Sequence, residues 1–269
     1  MNTIKISTCM APNMDFVCRE LAGYLSTRLS IPVEAWLDIP WQERERLLDE
    51  GQIDLCWICG LPYVRKADHL RPPQVELVAA PVMEGARYQN RPLYFSDVVV
   101  RRDSPFQTLG DLKGAAWAYN EPASHSGYNV VRYALAQRGE RAGFFGTVIE
   151  AGAHQVSLQM ILRRQVDGSA IDSSVLEQEL RDDPALASQI RVIDTLGPSP
   201  IPPWVAPRAA PAGLRHQLRE LLLGMQEDPV GQAILARAHL ARFAAVADGD
   251  YDAIREMARL AEGVELGNR

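Results

Sequence analysis

Between residues 4 and 58 short apolar runs alternate with segments of helical period, and that alternation restricts the chain to a parallel α/β sheet. Residues 4–7 read as a strand. Residues 15–29 carry Phe16, Val17, Leu21, Leu25 and Leu29 on one helical stripe, which Ile31-Pro32 ends. Residues 33–37 form a second strand. Asp38-Ile-Pro-Trp41 opens a helix that runs through Leu48 to Gly51, and residues 53–58 form a third strand. Successive strands joined by helices need right-handed crossovers and therefore pair in parallel. In such sheets ligands sit beyond the carboxyl ends of the strands, which places Cys9, Trp41 and Cys59 at one cleft.

The pattern then shifts and restarts. Residues 75–82 supply a strand and residues 93–101 a long extended segment. A second α/β unit follows: strand 115–119, a loop, helix 128–137, strand 147–150, helix 154–164 and strand 168–171. After Arg191-Val-Ile-Asp-Thr-Leu196, the run Gly197-Pro-Ser-Pro-Ile-Pro-Pro203 reads as a stiff crossing, and everything from Leu214 onward reads as helix, over 214–225, 229–241 and 251–261. Two α/β units joined by extended stretches near 98 and 203 predict two lobes with a ligand cleft between them and hinge closure. Lobe 1 would hold residues 1–98 and 203–269, and lobe 2 residues 99–202.

Charge and composition exclude several function classes. The net charge of −6, with no basic block, argues against nucleic acid and anionic membrane surfaces. No apolar run approaches the roughly 18 residues of a membrane span, so direct membrane insertion is not expected. The N-terminus lacks the apolar core of a secretion signal. The expectation is cytoplasmic as the chain stands, or periplasmic if a leader was removed. Cys56 and Cys59 form a C-x-x-C, but Cys9 and Cys18 do not make the second pair a zinc ribbon requires, so neither metal nor cofactor is expected.

The stretch Asn120-Glu-Pro-Ala-Ser-His-Ser-Gly127 ends on the start of a helix buried through Val130, Val131, Ala134 and Leu135. Orphan amides and the helix dipole make that end an anion seat, to which Ser124 and Ser126 add neutral hydroxyl donors, so a tetrahedral oxyanion needs no lysine there. The plainer reading is that both serines cap the helix. His154 follows Gly152-Ala153 at a helix start, where a protonated ring opposes the dipole unless an anion is bound; it is otherwise a capping residue. Trp41 is either a cleft contact or a hydrophobic staple, and Tyr94 a cleft contact or core. Asp172, at a strand's carboxyl end, is a candidate ligand contact, whereas Asp97 reads as a surface or hinge hydrogen-bonding residue. Cys9 and Cys59 are expected either to approach each other at the cleft, as a labile disulfide or soft-ion site, or to be small buried hydrophobes; Cys18 and Cys56 read as core.

Four stretches resemble the phosphonate-binding branch of the two-lobed solute-binding proteins that serve ABC transporters. They are Asp54-Leu-Cys-Trp-Ile-Cys-Gly60, Asp103-Ser-Pro with Leu109-Gly-Asp-Leu-Lys-Gly114, Ser124-His-Ser-Gly127, and His154 spaced before Val166-Asp167; Arg242-Phe243 to Asp250-Tyr251-Asp252 also fits. The resemblance implies a type II periplasmic-binding-protein-like α/β fold, each lobe a sheet flanked by helices. It also implies that Ser124, His125, Ser126 and Gly127 hold the oxyanion and that His154 reaches it. Trp41 would stand where the family carries an aromatic hydroxyl, and Tyr94 would match a tyrosine of the first hinge strand. The acids that hold an aminoalkyl phosphonate's ammonium are missing after Asp172-Ser173 and in Ile201-Pro-Pro203, and Asp172 is the nearest acid left.

The expected function is a monomeric, non-enzymatic solute-binding protein that captures a phosphonate, phosphite or phosphate-like oxyanion for an ABC transporter permease or a sensor. Two rivals stay open: an enzyme on the same scaffold using His125, His154 and Cys59, and a cytoplasmic ligand-sensing subunit.

Overall fold

The computed structural model describes residues 3–69 and 74–267. The chain begins β1 (Ile4–Thr8), α1 (Asp15–Leu29), β2 (Val33–Ala35), α2 (Trp41–Asp49), β3 (Leu55–Trp57), α3 (Gly60–His69) and β4 (Val75–Met83). It continues through β5 (Leu93–Arg101), β6 (Ala116–Tyr119), α4 (Val130–Gln137), β7 (Thr147–Glu150), α5 (His154–Leu162), β8 (Gly168–Asp172), α6 (Ser173–Asp182) and β9 (Ile190–Pro200). It ends with β10 (Trp204–Pro207), α7 (Ala212–Leu223), α8 (Pro229–Arg237), β11 (Leu240–Ala244) and α9 (Asp252–Leu260).

The chain divides into two units: Met1–Leu93 with Pro200–Asp252, and Tyr94–Ser199 with Ala253–Arg269. The first is built on a six-stranded sheet of order β11-β4-β10-β3-β1-β2. The expected parallel core is present, β1 pairing with β2 and β3, but β10 and β11 add antiparallel strands. Neither was legible in the sequence. β10 is buried along its whole length and so shows no alternation, and β11 begins at Leu240 and Ala241, within the helix expected over 229–241, because pairing with β4 overrides their local preference. The statement that all beyond Leu214 is helical is thereby corrected. Stacking of Trp57 on Trp204, ring centroids 5.6 Å apart, ties β3 to β10 in this core.

The second unit carries a five-stranded sheet of order β7-β6-β8-β5-β9. β7, β6 and β8 run parallel, with β5 antiparallel to β8. Its core gathers Val98, Trp117, Val131, Leu135 and Phe145, with the Trp117 and Phe145 rings stacked at 4.4 Å. Of residues 197–203, expected as a stiff crossing, 197–200 form the end of β9 and 201–203 lead into β10, with the change of unit falling at Pro200. Helices α3 and α6 were not anticipated.

The lobe boundaries also need correction. All of β5 from Tyr94 lies in the second unit, and the return to the first falls at Pro200 rather than 203. Residues 253–269, assigned to the first lobe from sequence, belong to the second. Val264 and Leu266 join its core, and Arg132 donates to the carbonyls of Val264 and Ala261 at 2.7 Å each.

Because β7, β6 and β8 are parallel neighbours, the helices that follow them all begin at the same edge of the sheet. Their starts lie at residues 124–130 (after β6), 154 (after β7) and 173 (after β8).

Candidate functional site

The loop after β6 enters its helix through a wide turn. Residues His125–Asn129 form a π-turn, Asn129 N–H reaching Ser124 O at 3.1 Å, before regular α geometry begins at Val130. Such turns recur at functional sites because they re-aim side chains within a helix. Ser124 is the N-cap, its Oγ accepting the Gly127 N–H at 3.1 Å. One amide of the expected anion seat is thus already satisfied by the protein.

Ser126 does not cap. Its Oγ lies 3.4 Å from Ser124 Oγ and 3.0 Å from His154 Nε2, so the two hydroxyls and the imidazole form a continuous chain from the start of α4 to the start of α5. The three are 3%, 3% and 6% exposed. Gly127 makes this approach possible, since a Cβ there would sit 2.0 Å from Asn120 Oδ1 and 3.1 Å from His154 Cε1. Asn120 Oδ1 and His154 Nδ1 are buried and have no hydrogen-bond partner among the described residues. A buried polar atom left in that state is costly, and a bound polar guest would relieve it.

His154 is held neutral by its surroundings. Burial lowers its pKa to about 4, because a charged ring at that depth would lose its hydration. Neutrality also removes the unfavourable meeting of an imidazolium with the α5 dipole. His125 is fully buried, and burial lowers its pKa to about 3. Asn129 Nδ2 donates to its Nδ1 at 3.2 Å, which leaves the proton on Nε2 to donate to Ser199 Oγ at 2.9 Å. Ser199 Oγ in turn lies 3.9 Å from Met257 Sδ of α9. The His125 ring therefore buttresses the turn from behind, and its backbone is what it presents at the helix start. The Tyr94 ring, buried on β5, lies 6.4 Å from the His125 ring.

Asp172 ends β8 and caps α6, accepting from Ser174 N–H at 2.9 Å and Ser174 Oγ at 2.6 Å. Burial raises its pKa to about 6, against the lowering effect of those hydrogen bonds. Asp97 is buried rather than at the surface, and Thr195 Oγ1 donates to it at 2.9 Å.

Ser124, Ser126, Gly127 and His154 are thus brought together in the second unit, with Tyr94, His125 and Asp172 on the elements around them. Trp41 and Cys59 belong to the first unit. Trp41 opens α2 after Pro40, and Cys59 lies just before α3, its carbonyl accepting the Tyr63 N–H at 3.0 Å. Cys9 Sγ lies 3.9 Å from Cys56 Sγ, a pairing that was not anticipated. Asn120, Asn129 and Ser199 were missed. Asn129 stands four residues after His125 on one helical face, a signal within the sequence, whereas Ser199 arrives from β9 with no local sign.

Neutral donors at helix starts on one edge of a parallel sheet, in a chain of two α/β units, define the class of two-lobed solute-binding proteins. The family described as ABC transporter, phosphonate, periplasmic substrate-binding protein matches residues 13–251, and the chain belongs to it. It is 25% identical over 219 residues to the phosphonates-binding periplasmic protein of Escherichia coli K12, a match that covers 79% of this chain and 62% of that curated relative's length. Its fold resembles the binding-protein component of an ABC phosphonate transporter from Pseudomonas aeruginosa, with TM-score 0.82 at 18% identity, covering 97% of this chain and 86% of the other. It also resembles PhnD1 of Prochlorococcus marinus in complex with methylphosphonate, with TM-score 0.82 at 19% identity, covering 98% and 99% of the two chains. These likenesses establish the type II periplasmic-binding-protein fold.

Proposed function

We propose that this protein captures a small tetrahedral oxyanion of the phosphonate, phosphite or phosphate class, using the Ser124 and Ser126 hydroxyls, His154 and the backbone at the start of α4. It would pass the ligand, as a monomer, to an ABC transporter permease or a sensor partner. The observation that carries this reading is the buried Ser124, Ser126, His154 chain beside Gly127, where neutral donors converge on a helix start. Membership of the phosphonate family supports the ligand class, as does the methylphosphonate held by the Prochlorococcus relative. Tyr94, Trp41, Asp172 and Cys59 are proposed as further contacts.

The protein carries out no reaction on this reading. His154 meets a serine, and its other ring nitrogen has no carboxylate to orient it as a base.

Calorimetry against methylphosphonate, phosphite, phosphate and sulfate tests the proposal. Charge-assisted hydrogen bonds contribute roughly 1.5–3 kcal/mol each, so Ser124→Ala with Ser126→Ala should weaken binding by about two or more orders of magnitude. A flat response of the unaltered protein across the panel refutes the oxyanion reading.

A further inference from the structure

The first unit contains a pair of thiols that oxyanion binding does not use. In the parallel ladder between β1 and β3, Ser7 stands opposite Cys56 and Thr8 opposite Trp57. Cys9 N–H donates to Trp57 O at 2.8 Å, the bond that closes the Thr8–Trp57 pair, so Cys9 follows directly in register two residues beyond Ser7. Strand side chains alternate, so Cys9 and Cys56 point to the same face of the sheet in diagonal positions. Their sulfurs are 3.9 Å apart, and neither cysteine is in a disulfide.

The diagonal decides what this pair can do. Strands lie about 4.8 Å apart and rise about 3.3 Å per residue, so residues offset by two across a parallel pair have Cα atoms about 8 Å apart, whereas a disulfide closes without backbone movement only below about 7 Å. An atom inserted between the sulfurs suits the spacing better. Metal–thiolate bonds are about 2.3 Å long, so two sulfurs 3.9 Å apart already span a bent bridge, and opening them by about 0.7 Å makes it linear. Among the described residues no group of three or more His, Cys, Asp or Glu side chains could hold a metal ion, which excludes the four-ligand zinc arrangement.

We infer that Cys9 and Cys56 form a two-thiolate site for a soft monovalent ion of the Cu(I) or Ag(I) class. Soft thiolates select such ions, which accept two ligands. On binding, two metal–sulfur bonds form and two S–H protons leave to solvent, with no electron transfer. Each thiol has a carbonyl within donor reach, Cys9 Sγ with Trp41 O at 3.7 Å and Cys56 Sγ with Trp57 O at 3.9 Å. The bridged pair carries one net negative charge. Arg44, which donates to Thr8 O at 2.8 Å, lies one residue from Cys9 and partly offsets that charge, although it is shared with Asp15 at 3.4 Å. Cys9 is half-buried and provides the way in.

The test titrates the fully reduced chain with Ag(I), or with Cu(I) under a competing chelator without oxygen, and counts bound ions by native mass spectrometry. One ion per chain, retained by Cys59→Ser and lost in Cys9→Ser, supports the site; Cys9 is partly exposed, so its replacement leaves the core intact. An ion kept by Cys9→Ser, or lost in Cys59→Ser, overturns it. Rapid closure of a Cys9–Cys56 disulfide under a small-molecule disulfide, seen as a mass loss of two hydrogens, also overturns it, because the spacing would then fit a direct bond.

Discussion

Lowering the pH from 7 to 5 should destabilise the protein by about 2–3 kcal/mol through three buried groups of the second unit. An unfolded histidine titrates near 6.5, but burial lowers His125 to about 3 and His154 to about 4. A group whose folded pKa is depressed contributes stability above its unfolded pKa and loses it as the pH falls. The loss here opens at 6.5 and continues to about 4 for His154 and about 3 for His125. At pH 5 the unfolded rings are almost fully protonated and the folded ones are not, so each histidine withdraws about 2 kcal/mol. Asp172 acts in the opposite direction. Its pKa is raised from 3.8 to about 6, so ionising it costs stability at pH 7, and acidification returns about 1 kcal/mol. Urea denaturation at both pH values measures the net change. Comparison with His154→Gln, which keeps a hydrogen-bonding partner for Ser126, isolates one ring, and the acid-induced loss should shrink by about 2 kcal/mol in that variant. An unchanged loss in His154→Gln would refute the claim that this imidazole is buried and neutral.

Other outcomes follow from the same geometry. Asp172→Asn retains an N-cap acceptor but removes the buried charge, so it should raise stability at pH 7 by about 1–3 kcal/mol, with the gain vanishing below about pH 4, as urea titrations at the two pH values would read. Gly127→Ala forces Asn120 and His154 off the helix start and should cost about 1–3 kcal/mol of stability and abolish methylphosphonate binding in calorimetry. Ser126→Ala alone breaks the link to His154 and should weaken methylphosphonate binding by roughly 1.5–3 kcal/mol, and the melting temperature should fall because buried His154 Nε2 loses its partner.

The sequence by itself determined the parallel cores of both units. The stripe of Phe16, Val17, Leu21 and Leu25 gave α1 to the residue, Asp15–Leu29, and extended segment 93–101 matches β5, Leu93–Arg101. Periodicity records which side of α1 is buried, and the length and β-branched content of 93–101 mark a strand buried between two neighbours. It also determined that residues 124–127 close a strand and open a helix, since Pro122, Ser124 and Gly127 act within a few residues of themselves.

Tertiary structure decided the rest. β10 and β11 exist because β4 offers them an edge on each side, and α9 with Val264 and Leu266 joined the second unit because its core had room for them. The partner of each site residue was decided in the same way. Ser126 found His154 across 28 positions, His125 found Ser199 across 74, and Cys9 found Cys56 across 47 through strand register. Local sequence encodes dihedral preference and the burial of one face, whereas these pairings depend on which strands become neighbours, a choice the whole sheet makes together.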